Sequence, residues 1–381
     1  MSTPPAESTA TPAPSKTPVA PAPSTLPPSP LPTGEPSLRR AIFVVGSGRS
    51  GTSTMSGTLQ TLGVHVPQPE VSADDTNPKG FGEPQWVVDF HEELLRRSNV
   101  QVSDARPQAW FEAGKLATNE RVREDLYHWL DEQFGEGDEV VIKDPRMAWF
   151  LGLWRSAALR CAATPSYITM LRPVTEVVGS KQKYYSQRFG EVNRTAAWVN
   201  MMLHTERATR GSQRRFVRYD DMLKDWTVPL FEIGEAFDLQ AVKAATANDI
   251  RLVHNFIDPS LRRVQLTWDD VDVPGRLRDV AEESWQALDK LADPGGDTPE
   301  VLATLDELRA AYASLYEESE AITQSTTVAA RREALARPGN PAGPSPEPRS
   351  KADRLASRVP HDVRAKIPPR ARRALRRAMG R

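Results

Sequence analysis

Four strand-like runs divide the chain, the first two wholly apolar: Ile42 to Val45, Val140 to Ile142, Ser166 to Leu171, and Arg215 to Tyr219. Unbroken runs of this length fit strands covered on both faces, where neither side meets water. Between them, apolar positions return every three or four residues. Val87, Val88, His91, Leu94 and Leu95 follow Glu83 in this way, and Val174, Val177, Val178, Lys181 and Tyr185 follow Pro173, which suits the first position of a helix. Residues 193–210 and 222–238 keep the helical period, with Trp198, Met201 and Met202 at core positions, and 276–335 reads mainly as helix interrupted near Asp293 to Asp297. Strands alternating with helices predict an α/β fold, a parallel sheet flanked by helices.

The first run breaks into Gly46-Ser-Gly-Arg-Ser-Gly-Thr-Ser-Thr54. Glycines let the backbone curl tightly after a strand, and the amides of the turn, with Ser50, Thr52, Ser53 and Thr54 at the helix start, then face an anion. The spacing from Gly46 to Gly51 fits the Walker A frame, in which a lysine follows the last glycine. Here that residue is Thr52, and the charge sits inside the loop at Arg49. The lysine reaches terminal phosphates in nucleotide triphosphatases, so its loss argues against ATP.

Gly48-Arg49-Ser50-Gly51-Thr52, with Ser53 and Thr54, resembles the 5′-phosphosulfate loop of P-loop sulfotransferases, which grips 3′-phosphoadenosine 5′-phosphosulfate. Two further stretches, in the right order, extend the resemblance to the bacterial members of that family. Arg172, at the end of the third run, precedes Ser180 by eight residues, like the family's 3′-phosphate motif; such a pair presents a fork of donors and a hydroxyl to one phosphate. Tyr219-Asp220-Asp221 is similar to the family's Tyr-Glu-Asp, which implies that Tyr219 lies near the adenine; the two aspartates read as caps of the next helix. The resemblance covers about residues 38–265. It further implies a late basic loop over the 3′-phosphate. Arg262 and Arg263 are the candidates, although the usual glycines are absent.

The acceptor side is expected between the cradle and Arg172. Asn77-Pro-Lys79-Gly-Phe81-Gly-Glu83 resembles a stretch of bacterial sulfotransferases in which a glutamate takes the acceptor's proton, making Glu83 the first candidate base and Asn77, Lys79 and Phe81 candidate acceptor contacts. An ordinary glutamate at a helix start is the competing reading. The second run ends in Lys143-Asp144-Pro145-Arg146, at the sheet edge where ligands of such folds bind. Animal cytosolic members place a lysine and then a catalytic histidine there. Lys143 is present, Pro145 replaces the histidine, Asp144 becomes the second candidate base, and Arg146 a candidate acceptor contact.

Composition bounds the remainder. Residues 1–37 are rich in Pro, Ser, Thr and Ala and read as disordered; 38–325 read as the transferase domain, 326–348 as a Pro/Gly-rich linker, and 349–381 as a basic tail. The tail carries twelve Lys or Arg against two Asp, a charge of +10 in a chain whose formal net charge is −1. Ala371, Ala374, Leu375, Ala378 and Met379 fall on one helical face there, so an anionic membrane surface is the expected partner, bound mainly by charge, with a solvated tail as the alternative. Nothing resembles a nucleic-acid motif. A single cysteine, Cys161, fits a reducing, cytoplasmic setting, and the six histidines show no metal-ligand spacing.

These readings converge on transfer of a sulfuryl group from phosphoadenosine phosphosulfate to a hydroxyl or amine of a small molecule, glycan or glycolipid, without a metal. The alternatives are a small-molecule kinase using ATP and a non-catalytic nucleotide-binding protein at a membrane.

Overall fold

The computed structural model describes residues 38–73, 80–184, 190–258 and 265–336. Asn77, Lys79, Arg262, Arg263, the segment 1–37 and the tail 349–381 lie outside the described residues.

Among the described residues, four strands form one parallel sheet, β1 (Arg40–Val45), β2 (Glu139–Lys143), β3 (Thr164–Leu171) and β4 (Gln213–Arg218), in the spatial order β2-β1-β3-β4. The helices are α1 (Thr52–Thr61), α2 (Gln85–Ser98), α3 (Ala109–Gly114), α4 (Glu120–Gln133), α5 (Leu151–Arg160), α6 (Val174–Tyr184), α7 (Glu191–Thr209), α8 (Tyr219–Asp225), α9 (Thr227–Phe237), α10 (Gln240–Lys243), α11 (Ala247–Phe256), α12 (Gly275–Lys290) and α13 (Pro299–Ala336).

Both faces of the sheet are covered. Ala41, Phe43 and Val45 of β1 enter one core with Ile142, Trp154 and Tyr167. Ile42 and Val44, pointing the other way, pack with Met55, Leu59, Ile168 and Met170. Phe43 is fully buried, edge-on to Trp154 at 5.6 Å between ring centroids and tilted against Tyr167 at 5.3 Å. Truncating such a residue to alanine costs roughly 3–5 kcal/mol. A third core joins Leu171, Val177 and Trp198 to Leu288, Leu305 and Tyr312, so α12 and α13 lean on α6 and α7 as part of the same body.

The strand order places the site. From β1 the chain crosses to β2 on one side and then to β3 on the other, so the carboxyl ends of β1 and β3 flank a topological switch point, where ligands of open α/β sheets bind. The loop after β1 and the turn carrying Arg172 after β3 therefore emerge side by side.

Three local expectations shift. Pro173 stands one residue before α6 rather than inside it, its carbonyl accepting from Val177. Asp220 and Asp221 lie in the first turn of α8, after the cap position Arg218, where their charges favour the positive helix end without capping it. Helix α13 continues through residues 326–336, where a linker was expected to begin.

Candidate active site

The turn after β1 is built by three positive φ angles, at Gly46 (127°), Arg49 (78°) and Gly51 (89°). A Cβ on Gly46 would stand 2.8 Å from the Met170 carbonyl oxygen, and one on Gly51 would fall 2.2 Å from the Tyr219 ring, so β3 and Tyr219 press against the loop at the two glycines that begin and end it. Arg49 has no such freedom. A side chain in this left-handed region costs on the order of 1–2 kcal/mol, which the loop bears to aim the guanidinium. The Ser50 amide closes the turn onto the Ser47 carbonyl at 3.1 Å.

Helix α1 starts directly after this turn, and its cap position, Gly51, has no side chain to satisfy the first-turn amides. Thr52, Ser53 and Thr54 occupy that turn. The positive helix end thus faces the cradle. The Ser50 hydroxyl is buried without a hydrogen-bond partner among the described residues. Gly48 passes over Pro145, with an added Cβ 3.7 Å from that ring. A narrow glycine cradle, a helix start and an orphaned hydroxyl fit a phosphate group.

The second motif meets the first. Arg49 donates from Nε to the Ser180 hydroxyl at 3.1 Å, and Arg172 donates from Nη1 to the Arg49 carbonyl at 3.0 Å. Arg172 also donates from Nε to Glu176 at 2.9 Å and lies over the Tyr219 ring at 5.3 Å. Arg49, Arg172, Ser180 and Tyr219, drawn from three separate stretches, therefore form one cluster. Tyr219 is buried, its ring engaged by Gly51 and Arg172. Beside it, Arg172, Glu176, Tyr219, Asp220 and Trp285 line a cavity of about 230 Å³.

The candidate base lies on the other flank of α1. Lys143, at the end of β2, donates from Nζ to Glu83 at 2.6 Å, to the Phe81 carbonyl at 2.9 Å and to the Ser53 hydroxyl at 3.2 Å. Arg146 stands 3.7 Å from the second Glu83 oxygen and pairs at 3.0 Å with both Glu92 and Asp144. Glu83 and Lys143 are both buried, so this ion pair ties the turn before α2 to the helix start at Ser53.

Asp144 has a different place. It is fully buried, accepting from His91 Nδ1 at 2.9 Å and from the Arg146 backbone amide at 2.9 Å. Trp154 donates its indole N–H to His91 Nε2 at 2.8 Å; an indole can only donate, which leaves the imidazole proton on Nδ1, aimed at Asp144. Burial alone would raise the Asp144 carboxyl, but the His91 hydrogen bond and the Arg146 charge and amide hold it below the usual range. A carboxylate with these partners anchors the turn after β2, and this is where the structure places the second candidate base. Arg146, for the same reason, braces Asp144, Glu83 and Glu92.

No protein-family model matches the chain, and no curated protein matches it. Among solved structures, the sulfotransferase domain of the Synechococcus PCC 7002 olefin synthase aligns with 66% of this chain and 96% of its own, at 15% identity and a TM-score of 0.37. The sulfotransferase domain of the curacin biosynthetic pathway aligns with 64% of this chain and 96% of its own, at 14% identity and a TM-score of 0.36.

Lys181 reaches the cradle loop at Ser47 without being announced by the motifs. It follows Ser180 on the buried face of α6 and donates to the Ser47 and Ser103 hydroxyls, each at 3.1 Å. Burial pushes its amine down to about 8, and the Arg194 charge adds to this. The available signal is a lysine at a core position of an apolar helical stripe. A cleft of about 1230 Å³ along the outer edge of β4 contains none of the loop residues.

Proposed function

We propose that this chain transfers a sulfuryl group from 3′-phosphoadenosine 5′-phosphosulfate to an acceptor hydroxyl or amine. The observation that carries the reading is the meeting of Arg49 with Ser180 and Arg172. Residues separated by more than a hundred positions supply a guanidinium, a hydroxyl and a second guanidinium to one spot beside a helix start. That donor set suits a nucleotide with a phosphate on its 3′ oxygen as well as on its 5′ oxygen.

In this reading the amides of residues 50–54 and the Ser50 hydroxyl hold the 5′ side, while Arg172 and Ser180 hold the 3′-phosphate. Lys143, already at Ser53, stabilises charge gathering on the leaving phosphate oxygen. Glu83, on the same ammonium, takes the acceptor's proton as attack proceeds. A glycan, glycolipid or other small metabolite is the proposed acceptor class, and the basic tail is proposed to hold the enzyme at an anionic membrane face.

The ATP reading is weaker on an observation of its own. It needs a strand-end carboxylate for magnesium, and Asp144 already serves His91 and Arg146. The discriminating experiment is the melting temperature of the full chain with adenosine 3′,5′-bisphosphate, or with ATP and magnesium, over a concentration series. The proposal expects the bisphosphate to raise it and ATP with magnesium to leave it in place. A rise with ATP and magnesium alone would replace it with a kinase.

A further inference from the structure

Two consecutive residues of α6 hold the cradle. Ser180 accepts from Arg49, and Lys181 donates from Nζ to the hydroxyl of Ser47, the second residue of the turn, at 3.1 Å. The other hydroxyl on that ammonium, Ser103 at 3.1 Å, belongs to the loop between α2 and α3. Lys181 thus ties the opening of the cradle to α6 and to a distant loop.

The ammonium lies among groups of its own sign or groups already engaged. Lys181 is buried, and no carboxylate pairs with it among the described residues. From α7, the Arg194 charge acts with burial to push the amine down to about 8. On the cradle, Arg49 gives its Nε to Ser180. Asp104, next to Ser103, is buried and bonded by Arg106 through both oxygens, at 2.9 and 2.6 Å. Glu176, earlier on α6, accepts from Arg172. A buried cation held by two hydroxyls, with no counter-ion, works against stability. Methionine would fill much the same space without the charge. Packing therefore gives no reason for a lysine here. What the ammonium supplies is a fixed donor and a positive charge where the cradle begins.

We propose that Lys181 is a positioning residue of the donor site, its ammonium fixing the cradle through Ser47 and biasing that loop toward an anionic ligand. This rests on the donor reading above. It has a consequence that a purely structural lysine lacks: a negative charge in the cradle favours the protonated amine, so binding near pH 8 draws a proton from solvent.

The test is calorimetric titration of the full chain with adenosine 3′,5′-bisphosphate at pH 8, in buffers of different ionisation heat, which reads the protons taken up on binding. Phosphate monoesters have lost their second proton by then, so uptake reports on the protein. The parent is expected to take up roughly a third of a proton or more per ligand bound. Lys181→Met is expected to melt no lower than the parent at pH 7, to bind about tenfold more weakly and to lose the uptake. Lys181→Gln, which keeps a donor for the hydroxyls without the charge, is expected to recover part of the affinity and none of the uptake; it carries the comparison should Lys181→Met fail to fold. Ser47→Ala is expected to weaken binding as Lys181→Met does, and the double variant to be little weaker than either. No binding of the bisphosphate to the parent would remove the donor reading and this role with it. Binding without proton uptake, uptake that persists in Lys181→Gln, or undiminished affinity in Ser47→Ala would overturn the role of Lys181 alone.

Discussion

Gly51 shows how little freedom the cradle has. Its φ of 89° is hostile to any side chain, and the space a Cβ needs is filled by the Tyr219 ring. Gly51→Ala is therefore expected to cost at least about 2 kcal/mol of stability and to abolish the melting shift caused by adenosine 3′,5′-bisphosphate. A chemical-denaturation curve matching the parent, with the shift intact, would show that the loop bends elsewhere. The candidates Arg49, Ser180, Glu83 and Lys143 could be named from the sequence because the stretches that carry them resemble sulfotransferase motifs. The triad of Asp144, His91 and Trp154 could not. His91 read as one more position on the apolar stripe of α2, and nothing local reveals that its partners lie 53 and 63 residues away. Lys181 was hidden likewise, since its hydroxyl partners Ser47 and Ser103 come from two distant loops.

Ile42 to Val45 and Val140 to Ile142 read as strands from unbroken apolar runs because a parallel sheet with helices on both faces leaves no strand side wet. Helix α2 was legible for the opposite reason: its apolar stripe is clean and its other face is charged. Helix α4 escaped because it buries only Val122, Leu126 and Leu130 within a run of charges, too narrow a stripe to stand out. At the far end, α13 carries its contacts early. Leu305, Leu308 and Tyr312 are buried in the third core, whereas the side chains of residues 317–335 are exposed. Isolated helical turns add little without a packed face. A chain ending at residue 324 is expected to melt within a few degrees of the full chain. A substantial loss in calorimetry would mean that the exposed half of α13 has a partner in solution.

For the whole molecule, the buried ammonium beneath the cradle carries a cost that varies with pH. Unfolded, Lys181 keeps its proton up to about 10.5; folded, it releases it near 8. Between those values the unfolded state binds more protons, so stability contributed by this group rises with pH, and below about 8 the penalty is fully in place. Comparison with Lys181→Met isolates it from Cys161, whose thiol, raised by burial, works in the opposite direction above pH 9. The stability of the parent relative to this variant is expected to rise from pH 8 to pH 10 by on the order of 2 kcal/mol. A flat difference would mean that Lys181 is solvated in solution.

The same architecture, one sheet whose switch point joins two motifs, leads to the central claim that the cluster of Arg49, Arg172 and Ser180 receives a 3′-phosphate. The most direct measurement is calorimetric affinity for adenosine 3′,5′-bisphosphate against adenosine 5′-monophosphate, in the parent and in Ser180→Ala. The account expects the bisphosphate to bind the parent at least about tenfold more tightly, and the variant to lose most of that preference. Equal affinity for the two nucleotides in the parent would contradict it.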